Sequence, residues 1–319
     1  MRPKHRLFEV KNIVIYLVLS FLRSSDSKLL GYLVERFTIK TAQKLGTRTL
    51  HFRVRQIVSL SQPSNPLSAQ SLPIINVAIP CHKKDFDGLE LVIQGARATV
   101  MNPIGKFILI TPESWVHHLS LRFPDCEVLS DEGILDENFV QAINRIVPVE
   151  RRGWIVQQIL KFLVVLRSDV TATLVIDADT VLVQPRIWLD GKGNQIVCIA
   201  EEYHFPYKQH QRRALGLEPS LFSFVTHHQL MKSDSVRELF GIEGHGILKW
   251  LSDADFTENS AISEYDTYGE SIVTKQRRMV RFAKWNNLEI DYGFDQMNYK
   301  ELASRYRRFH SVSSHKRPR

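Results

Sequence analysis

Leu174-Val175-Ile176-Asp177-Ala178-Asp179 is the stretch of sequence that decides the fold. Its three apolar residues are typical of a buried β-strand, and two carboxylates one residue apart follow them directly. Because side chains alternate along a strand, Asp177 and Asp179 are expected to converge at its carboxyl end. Open α/β sheets bind ligands at that end, and paired carboxylates suit Mg²⁺ or Mn²⁺ together with phosphate oxygens. The stretch therefore predicts a divalent metal that holds a diphosphate.

Similar apolar runs recur along the chain and alternate with segments of helical periodicity. Strands are predicted at Ile74–Ile79, Phe107–Ile110, Cys126–Leu129, Thr173–Ile176 and Ile196–Ala200, and helices at Leu89–Ala98 and Trp154–Leu166. This alternation indicates an α/β fold with a single mixed, mostly parallel sheet flanked by helices. Beyond residue 205 the pattern becomes more helical and irregular, and an acceptor-binding half is expected there.

The net charge of +8 is concentrated at the two ends of the chain. Residues 1–70 hold 12 Lys and Arg against 3 Asp and Glu, residues 305–319 hold 6 against none, and the segment between them holds 24 against 31. A protein that binds nucleic acid through its folded body carries positive charge on that body, so nucleic acid is not an expected partner. Basic ends are typical of contact with anionic lipid, and equally of solubilising tails.

Charge and composition divide the chain into three parts. These are a basic, partly apolar N-terminal extension at 1–70, a catalytic domain at 71–304 and a basic C-terminal tail at 305–319. In the extension, Ile13–Leu22 is apolar for ten residues, whereas a helix needs about 20 to span a bilayer. A second apolar stretch, Leu29–Val34, also has basic neighbours. The two stretches favour helices that lie on a membrane surface, with packing on the catalytic domain as the alternative.

The three cysteines, Cys81, Cys126 and Cys198, are odd in number and far apart, and none belongs to a CxxC motif. This spacing argues against a disulfide framework and against a zinc site. A reducing, cytoplasmic location fits best, with peripheral attachment to the inner face of the cytoplasmic membrane through the basic extension.

A polar stripe precedes the Asp177 strand. On a helix, Trp154, Gln157, Gln158 and Lys161 fall on one side, at spacings of three, four and seven residues. This stripe is expected to line a sugar-diphosphate pocket, with Lys161 facing phosphate and the glutamines facing hydroxyls. Asp85 follows the first strand, where α/β folds often contact a nucleotide. The alternative for the stripe is a solvated helix face with an exposed tryptophan.

Two later segments offer further functional groups. In Ser223–His228, an imidazole could be the third metal ligand or an acid/base group, and His227 is preferred to its neighbour His228. In Ser263–Gly269, Glu264 and Asp266 are candidate general bases for an acceptor hydroxyl. The same acids also suit the first turn of a helix that Ser263 caps, and the two readings are compatible.

Taken together, these motifs resemble a bacterial glycosyltransferase-like family linked to surface-polysaccharide synthesis. The resemblance covers residues 74–290 and rests on four ordered motifs: GWIVQQILK at 153–161, LVIDADTVLV at 174–183, SFVTHH at 223–228 and SEYDTYG at 263–269. It implies a GT-A-like fold, a nucleotide-sugar donor, a glycan or lipid-linked acceptor, and Mn²⁺ or Mg²⁺ on Asp177 and Asp179. The implied reaction moves a sugar from the nucleotide diphosphate to a hydroxyl.

Two other functions fit part of the pattern. The stretch Asp177–Val181 also matches the DxDx[TV] signature of haloacid dehalogenase-like phosphatases, in which Asp177 would be the nucleophile. That signature usually opens its domain, and here Asp253 and Asp255 would have to supply the later acidic pair. The third hypothesis is a non-catalytic, membrane-associated protein that keeps a sugar-binding fold.

Overall fold

The computed structural model describes residues 72–200, 204–217, 223–258, 260–291, 293–294 and 297–314. Its main sheet has five strands, in the order β3-β2-β1-β4-β7. The strands are β1 (Ile75–Pro80), β2 (Ile104–Thr111), β3 (Glu127–Ser130), β4 (Ala172–Ile176) and β7 (His228–Lys232). β1, β2, β3 and β4 are mutually parallel, and β7 pairs antiparallel with β4.

Helices cover both faces of this sheet. They are α1 (Phe86–Thr99), α2 (Glu113–Arg122), α3 (Asp131–Ile134), α4 (Glu137–Ile146), α5 (Arg152–Leu166), α6 (Phe205–Leu215), α7 (Ser233–Phe240), α8 (Gly246–Ser252), α9 (Glu264–Lys275) and α10 (Tyr299–Arg305). Val175 of β4 packs in one core with α5 and α9, whereas its neighbours Leu174 and Ile176 pack in a second core with α1. The alternation of side chains along β4 therefore supplies both cores.

Two smaller sheets complete the architecture. One of them contains β5 (Thr180–Leu182), β9 (Asn287–Ile290) and, between these two, β10 (Ser311–Ser314). The other consists of β6 (Gln195–Ile199) paired in parallel with β8 (Val280–Lys284). The sequence pattern did not predict these sheets. β10 also shows that the stretch predicted as a C-terminal tail continues the fold as far as Ser314, because its four residues are buried between two partner strands.

The predicted fold class, a mixed and mostly parallel sheet flanked by helices, is confirmed. The predicted strands and helices fall within three residues of observed ones, and α5 buries the apolar side chains of Ile155, Ile159, Phe162 and Leu166. The proposed membrane-surface helices lie outside the described residues. Within the described part of the chain, no helix is both long enough and apolar enough to cross a membrane.

Candidate metal centre

The two aspartates converge through a turn, and not through continued strand geometry. β4 ends at Ile176, and the backbone N–H of Thr180 donates to the carbonyl oxygen of Asp177 at 3.0 Å, which closes a turn over residues 177–180. The N–H of Asp177 donates to the carbonyl of His227 at 2.8 Å, and the N–H of Ser314 donates to the carbonyl of Asp179 at 2.9 Å. β7 and β10 thus fix the two ends of this turn at the carboxyl edge of β4.

His227 joins the aspartates at this edge. It precedes β7 and has a φ of 56°, a left-handed backbone conformation that is uncommon for residues other than glycine. Its Nδ1 lies 3.2 Å from Oδ2 of Asp177. Asp177, Asp179 and His227 each offer one ligand atom, and these atoms all lie within 4.8 Å of one another. The side chains of Asp177 and His227 are 23% and 17% exposed, so the group is partly accessible to solvent.

The imidazole of His227 rests on an aromatic ring. Trp285, in the connection between β8 and β9, stacks on it with 5.3 Å between centroids and 26° between planes. The backbone N–H of Trp285 donates to the carbonyl of Ile199 at 2.9 Å, which attaches the connection to β6. The left-handed backbone at His227 and the stacked ring of Trp285 together place the imidazole beside Asp177.

Behind the metal-facing edge, a buried lysine joins two carboxylates. Lys161 Nζ of α5 lies 2.5 Å from Asp177 Oδ1 and 2.5 Å from Glu264 Oε1. Tyr265 donates its hydroxyl to the same Asp177 Oδ1 at 2.7 Å, and its ring lies 4.2 Å from the ammonium group. Lys161 and Tyr265 both donate to Oδ1, so Oδ2 of Asp177 is left facing His227. We call Lys161, Asp177, Glu264 and Tyr265 the site network.

This network fixes the charges around Asp177. Burial alone raises the pKa of the Asp177 carboxyl, but Lys161 and the His227 hydrogen bond outweigh burial and hold that pKa well below its usual range. Burial alone lowers the pKa of Lys161, but Asp177 and Glu264 outweigh it and raise the pKa above the usual range. Burial, with Asp177 next, raises the pKa of Tyr265. Asp177 is therefore an anion with fixed partners at neutral pH.

Local sequence explains how Glu264 reaches Lys161. Ser263 caps α9 by accepting the N–H of Asp266 at 3.2 Å, as the capping interpretation predicted. The N–H of Glu264 donates to Gln158 Oε1 at 3.1 Å, so the first turn of α9 is attached directly to α5. Gln158 and Lys161 are both buried, which excludes a solvated face for this part of the polar stripe. Lys161 bonds to carboxylates here, whereas the prediction assigned it to phosphate.

Asp266, which the sequence analysis named as a candidate base, is enclosed by other side chains. Asp266 is fully buried, with Lys208 Nζ at 2.7 Å, Gln211 Nε2 at 2.9 Å and the N–H of Phe224 at 2.9 Å. Lys208 also binds Glu270 at 2.6 Å. A base must reach the hydroxyl that it deprotonates, and these partners enclose Asp266 instead. Lys208, Asp266 and Glu270 attach α6 to α9, and we call them the scaffold cluster.

The remaining predicted residues lie at different depths. Trp154 is 36% exposed near the start of α5 under the guanidinium group of Arg151, and Gln157 is half-buried. Asp85 follows β1, and its carboxylate accepts the N–H of His82 at 2.9 Å. Burial raises the pKa of Asp85, and the charge on Asp179 adds to that rise, so the two carboxylates are electrostatic neighbours. The exposures and contacts of Trp154, Gln157 and Asp85 do not link any of these side chains to a particular ligand.

Two alternatives in the sequence are resolved by position. His228 is buried in β7, with a relative exposure of 1%, so it cannot serve the open edge that His227 faces. In the part of the chain described here, only Asp177, Asp179 and His227 form a group able to hold a metal ion, and Asp253 and Asp255 are not members of it. The acidic pair that the phosphatase hypothesis requires is therefore not at this site.

Tyr265 and Trp285 are the residues that the sequence analysis missed. Tyr265 was in a quoted motif, but nothing in the pattern separated it from Tyr268, whose hydroxyl instead bonds Gln195 at 2.9 Å. Trp285 follows β8, which the apolar pattern had not marked. Only the pairing of β8 with β6 brings it to His227.

Comparison with known proteins gives structural similarity alone. No family model matches the chain, and no curated protein matches it. Among solved structures it is similar to apo WbbM, a bifunctional glycosyltransferase, with 11% identity, 79% of this chain covered and a TM-score of 0.41. It is also similar to an active-site mutant of LgtC, with 11% identity, 76% of this chain and 88% of LgtC covered, and a TM-score of 0.44. The chain spans 47% of the length of WbbM. Because both TM-scores are below 0.5, function has to be argued from the site.

Proposed function

We propose that this protein is a metal-dependent glycosyltransferase that moves a sugar from a nucleotide-diphosphate donor to a hydroxyl acceptor. One observation carries the proposal. Asp177, Asp179 and His227 present three ligand atoms within 4.8 Å of one another, at the carboxyl edge of a mostly parallel sheet. That edge is where open α/β sheets bind nucleotides, and a partly solvent-accessible group of two carboxylates and one imidazole there suits a cation that binds diphosphate.

The donor set fits Mn²⁺ or Mg²⁺. Carboxylate oxygens suit both ions, and imidazole nitrogen is a further common ligand of first-row divalent metals. Asp177, Asp179 and the imidazole of His227 would each supply one ligand atom to hold the ion. When bound, it would supply Lewis-acid neutralisation of the charge on the departing diphosphate.

The other residues of the site network prepare Asp177 for this role. Lys161 and Tyr265 both bind Asp177 Oδ1, which prevents rotation of the carboxylate and keeps Oδ2 at the open edge. Glu264 is 4% exposed and bound to Lys161, so we propose that it positions the lysine, in place of the predicted role as a base. Such supporting groups commonly change metal affinity by about 10–100-fold when they are removed.

The substrate and location remain those that the sequence suggested. The donor is a nucleotide sugar, the acceptor is a glycan or a lipid-linked saccharide, and the product belongs to surface polysaccharide or a glycoconjugate. Trp154, Gln157 and Asp85 are proposed to line the donor or acceptor path. The basic N-terminal extension is proposed to hold the enzyme on the inner face of the cytoplasmic membrane.

A thermal-shift screen of UDP-, GDP-, CMP- and dTDP-sugars, each with and without Mn²⁺, tests the proposal. A ligand that binds only the folded state raises the melting temperature by mass action. The expected result is a rise with at least one nucleotide sugar that requires Mn²⁺ and is lost in Asp179→Asn. If no nucleotide sugar shifts the transition in the presence of Mn²⁺, the proposal fails.

Hydrolysis of an aryl phosphate provides a second readout. The phosphatase hypothesis requires turnover that depends on Asp177 as nucleophile. We expect none, because Asp253 and Asp255, the later acidic pair that this hypothesis requires, do not belong to the metal group that the described residues form.

A further inference from the structure

Near the metal centre, a second group of side chains contains only nitrogen donors and one thiol. Arg186 and Trp188 lie between β5 and β6, Cys198 lies on β6, His228 lies on β7, and His310 directly precedes β10. We call these five residues the Arg186 cluster. Nothing in the proposed transfer reaction uses them.

Contacts join the members of the cluster. Arg186 Nη1 donates to Cys198 Sγ at 2.9 Å, and the guanidinium carbon lies 5.2 Å from the centre of the Trp188 ring. The Trp188 and His228 rings meet edge to face, with 5.2 Å between centroids. Burial lowers the pKa of His310 to about 4, and the Arg186 charge adds to that effect, so the arginine lies within electrostatic reach of His310.

The charge on Arg186 has no carboxylate partner. Among the residues that the structure describes, its side chain contacts a thiol and an aromatic ring and forms no ion pair with an Asp or Glu. A thiol sulfur is a weak acceptor, whereas a guanidinium group carries five N–H donors. A half-buried cation in such surroundings is stabilised by an anion.

The neighbouring donors also lack partners. Trp188 Nε1, both ring nitrogens of His228 and Nδ1 of His310 are buried without a hydrogen bond. Trp188 and His228 are 3% and 1% exposed. Buried polar groups in native proteins are nearly always hydrogen-bonded, so several unpaired ones beside one guanidinium group indicate a ligand that accepts hydrogen bonds.

The ligand is an anion and not a metal ion. A metal group needs ligand atoms within 4.8 Å of one another, and in the described part of the chain only Asp177, Asp179 and His227 form such a group. Cys198, His228 and His310 do not. A guanidinium group also repels cations. The donors lie on three separate parts of the chain, namely the β5–β6 connection, β7 and the residue before β10, and this arrangement suits a tetrahedral oxyanion.

We propose that the Arg186 cluster is a binding site for a phosphate-class oxyanion. Arg186, the indole N–H of Trp188 and one N–H from each imidazole would donate to its oxygens. Arg186 and His310 are only partly buried, so the anion would enter on their side. The site is separate from the proposed metal ligands, although His228 follows His227 directly in the chain.

Calorimetric titration of the full-length protein with inorganic phosphate tests this site. The titration is done in EDTA, with chloride at matched ionic strength, so that the metal centre takes no part. We expect saturable binding of phosphate to the wild type and a higher melting temperature than in chloride. Arg186→Met should weaken the binding at least about tenfold, because charge-assisted hydrogen bonds are lost.

Three further variants isolate the site. His310→Gln, at a partly exposed position, should also weaken phosphate binding, and it serves if Arg186→Met does not fold. Arg308→Met removes an equal charge from an exposed position two residues from His310 and should leave the affinity unchanged. Asp179→Asn should bind phosphate normally, even though it fails every test of the proposed transferase.

Competition with UDP distinguishes two sources of the anion. Displacement of phosphate by UDP indicates that the site takes a phosphate group of the nucleotide, and lack of displacement indicates a free inorganic anion. Both results support a phosphate site. Absence of binding to the folded wild type overturns the proposal. So does equal binding by Arg186→Met and His310→Gln, which would show an adventitious ion only.

Discussion

The site network and the scaffold cluster each contain one lysine, one aspartate and one glutamate, to which the site network adds Tyr265, and they have different consequences. In each, one lysine bridges two carboxylates at distances of 2.5–2.7 Å, and each takes one of its acids from the first turn of α9. In the scaffold cluster the carboxylates of Asp266 and Glu270 are 1% and 0% exposed. In the site network Asp177 is 23% exposed and has an imidazole beside it.

The difference shows that the position of an acid in the fold, and not its residue type, decides whether it can bind a metal ion or only stabilises the fold. Residues 264 and 266 are about 200° apart around a helix, because each residue turns the chain by about 100°. Glu264 therefore faces α5 and the metal-facing edge, while Asp266 faces α6. An acid enclosed by fixed donors stabilises the fold, whereas an acid with one free side can bind a cation.

The largest effect is expected when the scaffold cluster is broken. Lys208→Met leaves two buried carboxylates without their cation, which should lower the free energy of unfolding by about 3–5 kcal/mol. Urea denaturation measures this loss. Lys249→Met is the matched control, because its bridge to Asp253 is exposed and should contribute no more than about 1 kcal/mol. Equal losses in the two variants would contradict the distinction.

The next effect is expected at the open end of the site network. Asp179→Asn should reduce Mn²⁺ affinity and sugar transfer by at least about 100-fold, since a direct ligand matters no less than the groups that support it. The free energy of unfolding should change by less than about 0.5 kcal/mol, because Asp179 is partly exposed. Asp253→Asn, outside the metal group, should change neither quantity. Full transfer activity in Asp179→Asn would refute the metal role.

The third prediction concerns pH and the helix that carries Lys208. His210 of α6 is fully buried. Burial lowers the pKa of its imidazole to about 4, although the hydrogen bond with the carbonyl of Trp250 partly offsets this effect. As the pH falls, the imidazole is protonated near pH 6.5 in the unfolded chain but only near pH 4 in the folded protein. Stability from this group is therefore complete above pH 6.5 and is lost as the pH falls towards 4.

Between pH 7 and pH 5 the loss from His210 is on the order of 2 kcal/mol. Unfolding free energies measured at both pH values should show a smaller loss in His210→Gln, which keeps a polar group at this position but does not titrate. If the variant loses as much stability as the wild type over this range, His210 is not the group responsible.

The smallest effect is expected from the ring that supports His227. Trp285→Ala should weaken Mn²⁺ binding by about tenfold, because the imidazole loses its stacking partner. Trp285→Phe keeps an aromatic surface and should restore most of the affinity. The electron paramagnetic resonance signal of free Mn²⁺ measures binding directly, without sugar transfer. Equal affinity in the alanine variant and the wild type would exclude a positioning role for Trp285.

Much of the main sheet could be predicted because its signals are local. The apolar runs of β1, β2 and β4 and the stripe of α5 each need only their own residues to be recognised. The strands of the two small sheets are short, and β5 and β10 find each other across more than 120 residues of sequence. No periodicity within either strand shows that partner.

The candidate site was predicted in outline only. Asp177, Asp179, His227, Lys161 and Glu264 were all named, yet the partners of Lys161 and the burial of Asp266 were not foreseen. The proposed strand geometry at residues 177–179 was also wrong, because a turn closed by Thr180 brings the aspartates together. A sequence pattern identifies residues whose side chains can bind a metal or transfer a proton, but it does not show which groups surround those residues in the fold.

The sequence by itself determined a strand that is followed by two aspartates, the helix α5 and the cap of α9, because these depend on neighbours within one turn or one strand. Only the tertiary structure decided that His227 faces the aspartates, that Lys161 joins Asp177 to Glu264, and that Asp266 is enclosed. Those outcomes depend on which elements pack together, and burial and the charge of distant residues then fix what each carboxylate can do.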